Sequence, residues 1–111
     1  MKTNTKDLER LTQMFGALSN PNRLRIFLRL VACYMGATCN TDGEHRPCVG
    51  DLGQDIGVAQ STVSHHIKEL RRAGLIHTAR HGQKIKCWVN PETWQDLTGF
   101  FTHPSDGRFV D

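Results

Sequence analysis

Residues 60–86 concentrate side chains that can bind anions. This segment contains six lysines and arginines and a single acidic residue, Glu69, so it holds five excess positive charges in a chain whose net charge is only +3. Four of the six histidines also lie there. Positive charge gathered in one part of a nearly neutral chain favours a surface that binds phosphate groups.

The cysteines are a second group with chemical potential. Cys33, Cys39 and Cys48 follow the spacing Cys-x5-Cys-x8-Cys. Three thiolates without a fourth ligand suit trivalent arsenic, or another thiophilic ion such as antimony, lead, mercury or cadmium. Other interpretations stay open: two thiols that pair on oxidation, a structural zinc site with His45 as fourth ligand, or small buried hydrophobic residues. Cys87 alternates with Ile85 and Val89, which predicts a core position.

The elements that would position these groups can be read from apolar spacing. Leu8, Leu11, Phe15 and Leu18 recur at helical intervals and predict a first helix that ends near Ser19. Asn20-Pro21 is typical of a helix start, and the second helix should run to about Tyr34. Residues 36–47 lack periodicity and predict a long loop.

The basic segment begins with a second pair of helices. A short helix over Asp51–Ile56 should end at Gly57, and a longer amphipathic helix, within the segment Gln60–Ile76, is predicted to begin at Gln60 and to end at Gly74. Two helices joined by a tight turn that contains glycine make a helix-turn-helix. On the second helix, Val63, Ile67 and Leu70 form an apolar stripe, and Ser61, His65, Lys68 and Arg72 lie opposite. His66 falls nearer the stripe and is expected to pack.

A hairpin and a last helix complete the chain. Strands are predicted at Leu75–Arg80 and Lys84–Val89, with Lys84, Lys86 and Trp88 on a basic outer face. Asn90-Pro91-Glu92 then caps a helix whose Trp94, Leu97, Phe100 and Phe101 share one side. The predicted fold is mainly α with a small β-hairpin, a winged helix-turn-helix in one domain over residues 1–111 with a loose tail from about 104.

A helix with polar side chains and a basic hairpin suit the major groove and the flanking phosphates of double-stranded DNA. The alternative is a merely solvated, charge-rich surface. The residues expected to contact DNA are Gln60, Ser61, Thr62, Ser64, His65, Lys68, Arg71, Arg72, Arg80, His81, Gln83, Lys84 and Lys86.

Several classes of protein fit poorly. No apolar run approaches the length of a membrane span, and the N-terminal residues lack the apolar core of a signal peptide, which predicts a cytoplasmic protein. There is no His-Glu-x-x-His motif, no phosphate-binding loop and no nucleophile with a recognisable base, so an enzyme is not expected. No organic cofactor is expected either.

Three segments together resemble the ArsR/SmtB family of bacterial transcriptional repressors. They read Leu-Ser-Asn-Pro-Asn-Arg-Leu-Arg-Ile from residue 18, Cys-Val-Gly-Asp-Leu from residue 48, and Gln-Ser-Thr-Val-Ser-His-His-Ile-Lys-Glu-Leu-Arg-Arg-Ala-Gly-Leu-Ile from residue 60. The resemblance spans residues 8–101. It implies a homodimer, joined through the first and last helices, that binds an operator palindrome and releases it when a metal ion, metalloid or oxidant is sensed. A DNA-binding module that senses no ligand is the remaining alternative.

The chain also departs from the family pattern. Some ArsR-type sensors carry Cys-Val-Cys-Asp-Leu, and Cys48 matches the first cysteine of that motif, but Gly50 replaces the second. Cys33 and Cys39 are the candidates to replace the missing ligand. A zinc site of the family on the last helix needs paired Asp and His groups from both subunits. Asp96 and His103 lack the second pair, so that site is not expected.

Overall fold

Five helices and a two-stranded hairpin form the fold in the computed structural model, which describes residues 5–36 and 47–103. The predicted fold class, mainly α with a winged helix-turn-helix, is confirmed. Cys39, His45, most of the predicted loop and the tail from 104 lie outside the described residues. The elements are α1 (Thr5–Leu18), α2 (Pro21–Tyr34), α3 (Val49–Ile56), α4 (Gln60–Arg72), β1 (Ile76–His81), β2 (Lys84–Val89) and α5 (Pro91–Thr102).

Helix α2 is the centre of the core, and it contacts α1, α3, α4 and β2. Its Ile26, Phe27 and Leu30 are buried among apolar side chains of those elements. The Asn20 side chain accepts a hydrogen bond from the Arg23 backbone N–H and Pro21 follows it, so the start of α2 is the one predicted from the sequence.

Helix α4 ends where Gly74 predicts. Its last residue is Arg72, and Gly74 adopts a φ of 79° and turns the chain. The Leu75 N–H donates to the Leu70 carbonyl at 3.1 Å, and Leu75 and Ile76 then bury their side chains as the chain enters β1. Apolar residues in this turn extend the helical period past the true end of the helix.

Helix α1 uses its apolar residues on two sides. Leu11, Met14 and Ala17 are buried in the core, whereas Leu8 and Phe15 are exposed in the single chain. The predicted stripe therefore mixed residues of the core with residues of an outer apolar face.

The hairpin departs from the simple alternation expected for β2. Its strands pair antiparallel around Gly82 and Gln83, with His81 opposite Lys84. The segment before α3 lies beside β2. Cys48 forms an antiparallel bridge with Lys86, and the Cys87 N–H donates to the Pro47 carbonyl at 3.0 Å. As a result Lys86 is only 8% exposed, and Ile85, expected in the core, is 40% exposed.

Asn90 ties the start of α5 to the turn that follows α4. Its Oδ1 accepts from the backbone N–H groups of Glu92 and Thr93, and its Nδ2 donates to the Gly74 carbonyl at 3.2 Å. The Thr93 hydroxyl donates to the same carbonyl at 2.8 Å. These bonds satisfy free backbone groups at the ends of both helices.

Candidate nucleic-acid interface

Helices α3 and α4 meet closely enough to hold one rigid surface. Gly57 ends α3 in the left-handed conformation, and its N–H donates to the Gly53 carbonyl at 2.9 Å. A Cβ atom added at Gly53 would lie 3.3 Å from the Val58 carbonyl oxygen and 3.4 Å from the Val63 side chain. The close approach at Gly53 packs α4 against α3 through its apolar stripe, which leaves the polar side of α4 outward.

That polar side is exposed as predicted. In α4 and the hairpin, the predicted contact residues other than Lys86 reach the solvent. Val63, Ile67 and Leu70 lie buried on the opposite side of α4. The exposed set is Gln60, Ser61, Thr62, Ser64, His65, Lys68, Arg71, Arg72, Arg80, His81, Gln83 and Lys84.

Lys86 must be removed from this set. Its side chain is buried beside the segment that leads into α3, because Cys48 pairs with Lys86 across the antiparallel bridge. Ile85 takes the exposed position instead. The basic face of the hairpin is therefore made at its turn and by β1, through Arg80, His81 and Lys84.

A cleft separates the hairpin from α4. It has a volume of about 270 Å³ and is lined by Cys48, Val49, Gly50, Gln60, Ser64, Gln83, Lys84 and Ile85. Four predicted contact residues therefore line one concave surface: two come from α4 and two come from the hairpin. A polynucleotide backbone that crossed between α4 and the hairpin would meet both elements together.

His66 faces the interior, as its position near the apolar stripe predicts. Its Nδ1 accepts a hydrogen bond from the Arg23 Nε at 3.3 Å, and another Arg23 nitrogen donates to the Ala17 carbonyl at 3.2 Å. Burial lowers the pKa of His66, and the positive charges of Arg23 and His65 lower it further. A neutral His66 thus connects the back of α4 to α2, a contact that no sequence spacing indicated.

The described cysteines differ in state and surroundings. Cys33 is buried in α2 and disulfide-bonded. Cys48 precedes α3, and its thiol donates to the Asp51 Oδ2 at 3.0 Å. Cys87 is a core residue, as predicted; its burial, with a smaller contribution from Cys48, raises its pKa to about 12, against the opposing effect of Lys86. Cys87 is therefore a protonated, unreactive thiol at neutral pH.

The cysteine trio stays a prediction, since Cys39 lies outside the described residues. Within residues 5–36 and 47–103, no group of three or more His, Cys, Asp and Glu side chains is arranged to hold a metal ion. Asp96 lies on the last helix, where the family has a zinc site, and it forms a salt bridge with Arg10 at 2.6 Å. No helix in the described ranges is long and apolar enough to cross a membrane.

Comparisons with known proteins agree with this geometry. Residues 18–79 match a family model described as a helix-turn-helix domain. The uncharacterised HTH-type transcriptional regulator YceK of Bacillus subtilis (strain 168) is 32% identical over 89 residues, which cover 79% of each chain.

Two solved structures share the fold. An ArsR family transcriptional regulator superimposes with a TM-score of 0.68 at 21% identity, covering 96% of this chain and 94% of its own. A homodimeric winged helix-turn-helix DNA-binding domain of a possible ArsR-family regulator from Mycobacterium bovis gives a TM-score of 0.64 at 21% identity, with 89% and 81% covered.

Proposed function

We propose that this chain, which belongs to the helix-turn-helix family of transcriptional regulators, is a homodimeric repressor that binds operator DNA and is released from it by thiol chemistry. DNA is engaged by the polar face of α4 in a major groove and by the hairpin turn on adjacent phosphates. This function belongs in the cytoplasm, as the sequence predicts, and needs no catalytic residue.

One observation carries the DNA-binding part of this proposal. The exposed residues of α4 and the hairpin combine hydrogen-bonding side chains with basic ones on one side of a rigid α3–α4 pair. Ser61, Ser64 and His65 suit base edges, while Lys68 and Arg71 suit phosphates.

The experiment is selection from a randomised duplex pool, followed by fluorescence anisotropy with the selected duplex. We expect a palindromic sequence, and an affinity that falls about tenfold or more for a scrambled duplex. His65→Ala should reduce that discrimination, and His103→Ala, exposed at the end of α5, should leave it intact. Equal affinity for selected and scrambled DNA at moderate salt would contradict the proposal.

A dimer is supported by apolar surface on α1 and α5. Phe15, Phe100 and Phe101 contact one another with ring centroids 5.3 to 5.9 Å apart, and Phe101 is 66% exposed in the single chain. Leu8 extends the same side of α1 one heptad from Phe15. Exposed aromatic residues grouped in this way favour association, and a twofold dimer presents two α4 helices to two half-sites.

The input is proposed to act on the cysteines. The disulfide at Cys33 supports a redox signal, in which oxidation or reduction of this sulfur changes the DNA affinity. A thiophilic ion, above all trivalent arsenic, remains the other candidate, with Cys33, Cys39 and Cys48 as ligands in the reduced protein. The place of Cys48 at the start of α3 supports that candidate, because an ion bound there would act on α3 directly.

One titration separates the two inputs. The affinity for the selected duplex is measured for the native chain and for Cys48→Ser, with dithiothreitol, hydrogen peroxide, arsenite, lead, mercury and zinc in separate arms. Release by arsenite under reducing conditions, abolished in Cys48→Ser, would support the ion. A change with peroxide that dithiothreitol reverses, kept in Cys48→Ser, would support the redox signal. An unchanged affinity in every arm would contradict both.

A further inference from the structure

Ile85 is an apolar side chain within the proposed DNA-binding surface. It is 40% exposed, although Cys87 and Val89, which share its face of β2, are buried. Its partner on β1 is Arg80, which is exposed as well, next to the turn of the hairpin. This face of the hairpin is therefore buried at its base and open at its tip, where Ile85 lies.

A small groove lies between Ile85 and α4, with a volume of about 170 Å³. Its apolar wall is formed by Val49, Ile67 and Ile85, and its polar wall includes Ser64, Lys68 and Arg71. Ile85 and Ser64 also line the cleft of about 270 Å³ that reaches Gln83 and Lys84 at the hairpin turn. The groove and the cleft therefore adjoin at Ile85.

The cations around this groove suit a strand of DNA. Lys68 and Arg71 are exposed, and neither forms an ion pair with another described residue. Lys84 is exposed on the opposite side of the adjoining cleft. A strand whose phosphates contact Lys68 on α4 and Lys84 on the hairpin passes Ile85 between them. With α4 in the major groove, the base edges of that strand come next to Ile85.

We propose that Ile85 is a specificity-determining residue that contacts the C5-methyl group of one thymine in each half-site. This inference deepens the proposed function and rests on its DNA-binding part. Base pairs present hydrogen-bonding groups in the major groove, and the thymine methyl is the apolar group among them. An exposed isoleucine has no hydrogen-bonding group to offer, so this methyl is the part of a base edge that it can recognise. A cytosine at the same position presents an amino group and no methyl.

The test replaces thymine by deoxyuridine, which lacks the methyl group and keeps every hydrogen-bonding group of the base. Each thymine of the duplex that the native chain selects is replaced in turn, in both half-sites together, and the affinity is measured by fluorescence anisotropy. We expect one position at which the native chain loses about tenfold, since burial of a methyl group is worth about threefold to fourfold in each half-site. Ile85→Ala should bind thymine and deoxyuridine at that position within about twofold of each other, and should respond as the native chain does at the other thymines.

Leu28→Ala is the matched control, since Leu28 is an exposed apolar residue of α2, and it should keep the tenfold loss. If Ile85→Ala binds every duplex more weakly by the same factor, Ile85 packs on the deoxyribose or acts without regard to sequence, and the proposal is wrong. A selected half-site without thymine, or a native chain that binds every deoxyuridine duplex as tightly as the original, overturns it without any variant. A native chain that selects no duplex contradicts the DNA-binding function itself, which is a different failure.

Discussion

Lys84 and Lys86 lie two positions apart in one strand, yet only Lys84 reaches the solvent. A strict alternation along β2 assigns both to the same outer face. The segment before α3 pairs with Lys86, and this pairing buries its side chain. At the scale of single residues, a lysine can therefore belong to the interface only if no neighbouring segment of the chain buries its side chain. Residue type alone does not decide this.

This difference predicts two distinct salt dependences. Each lysine that neutralises a phosphate contributes to the slope of the logarithm of affinity against the logarithm of salt concentration. Lys84→Ala should lower the affinity and reduce that slope by about 1. Lys86→Ala should leave the slope unchanged, even if it lowers stability. Anisotropy titrations at several salt concentrations check both, and an equal loss of slope in the two variants would contradict the burial of Lys86.

His66 predicts how stability depends on pH. Its pKa is lowered from the value of 6.5 by burial and by Arg23, so the unfolded chain binds a proton at this site more readily than the folded chain. The free energy of unfolding should therefore fall as the pH decreases below about 6.5. His66→Gln keeps an acceptor for Arg23 without titrating and should flatten this dependence. Denaturant unfolding from pH 7.5 to 5 tests it, with the exposed His103→Gln as the control that keeps the native profile.

At the scale of elements, the turns after α3 and α4 decide where each helix stops. Gly57 and Gly74 have φ values of 75° and 79°, a region that costs other residues energy. The turn at Gly74 also receives the Asn90 and Thr93 side chains, so it joins α4, β1 and α5. The two turns thereby set the angle of α4 and the start of the hairpin.

Replacing two glycines by alanine separates backbone strain from helix propensity. Nothing lies within 4 Å of an added Cβ at Gly57 or at Gly16, so neither change causes a clash. Gly57→Ala should lower the free energy of unfolding by about 1 to 2 kcal/mol, since its φ is left-handed. Gly16→Ala, inside α1, should raise it by about 0.5 to 1 kcal/mol. Chemical denaturation measures both, and equal signs would overturn this account.

At the scale of the whole molecule, the described part of the single chain exposes apolar side chains. They include the aromatic group of α1 and α5, and Leu28, which is 54% exposed on α2. Arg10 and Asp96 join α1 to α5 beside the aromatic group, which makes that face a continuous surface built from two helices. The proposed dimer through α1 and α5 would cover it and leave α4 free.

We therefore expect Phe101→Asp to halve the molecular mass in sedimentation velocity. Its affinity for the selected palindrome should fall more than tenfold, because a monomer cannot bind both half-sites at once. Its weak binding to a single half-site should stay unchanged, because each α4 keeps its own DNA contacts. Leu28→Asp introduces the same charge at a similarly exposed apolar position outside the proposed dimer face. A monomer produced by Leu28→Asp, or a dimer that survives Phe101→Asp, would place the interface elsewhere.

The sequence by itself determined most of the secondary structure and the exposed polar face of α4. Helical periodicity, Asn20-Pro21 and Asn90-Pro91 marked the helices, and three separated segments carried the ArsR/SmtB resemblance. The match to a helix-turn-helix family and the shared fold agree with that resemblance. These signals are local, since they depend on neighbours within a few residues along the chain.

The tertiary structure decided the contacts between distant segments. The burial of Lys86 beside Cys48, the bond from Arg23 to His66, and the ion pair of Arg29 with Asp55 all join residues that no period relates. A sequence pattern indicates which side chains avoid water, and only packing decides which element carries them there.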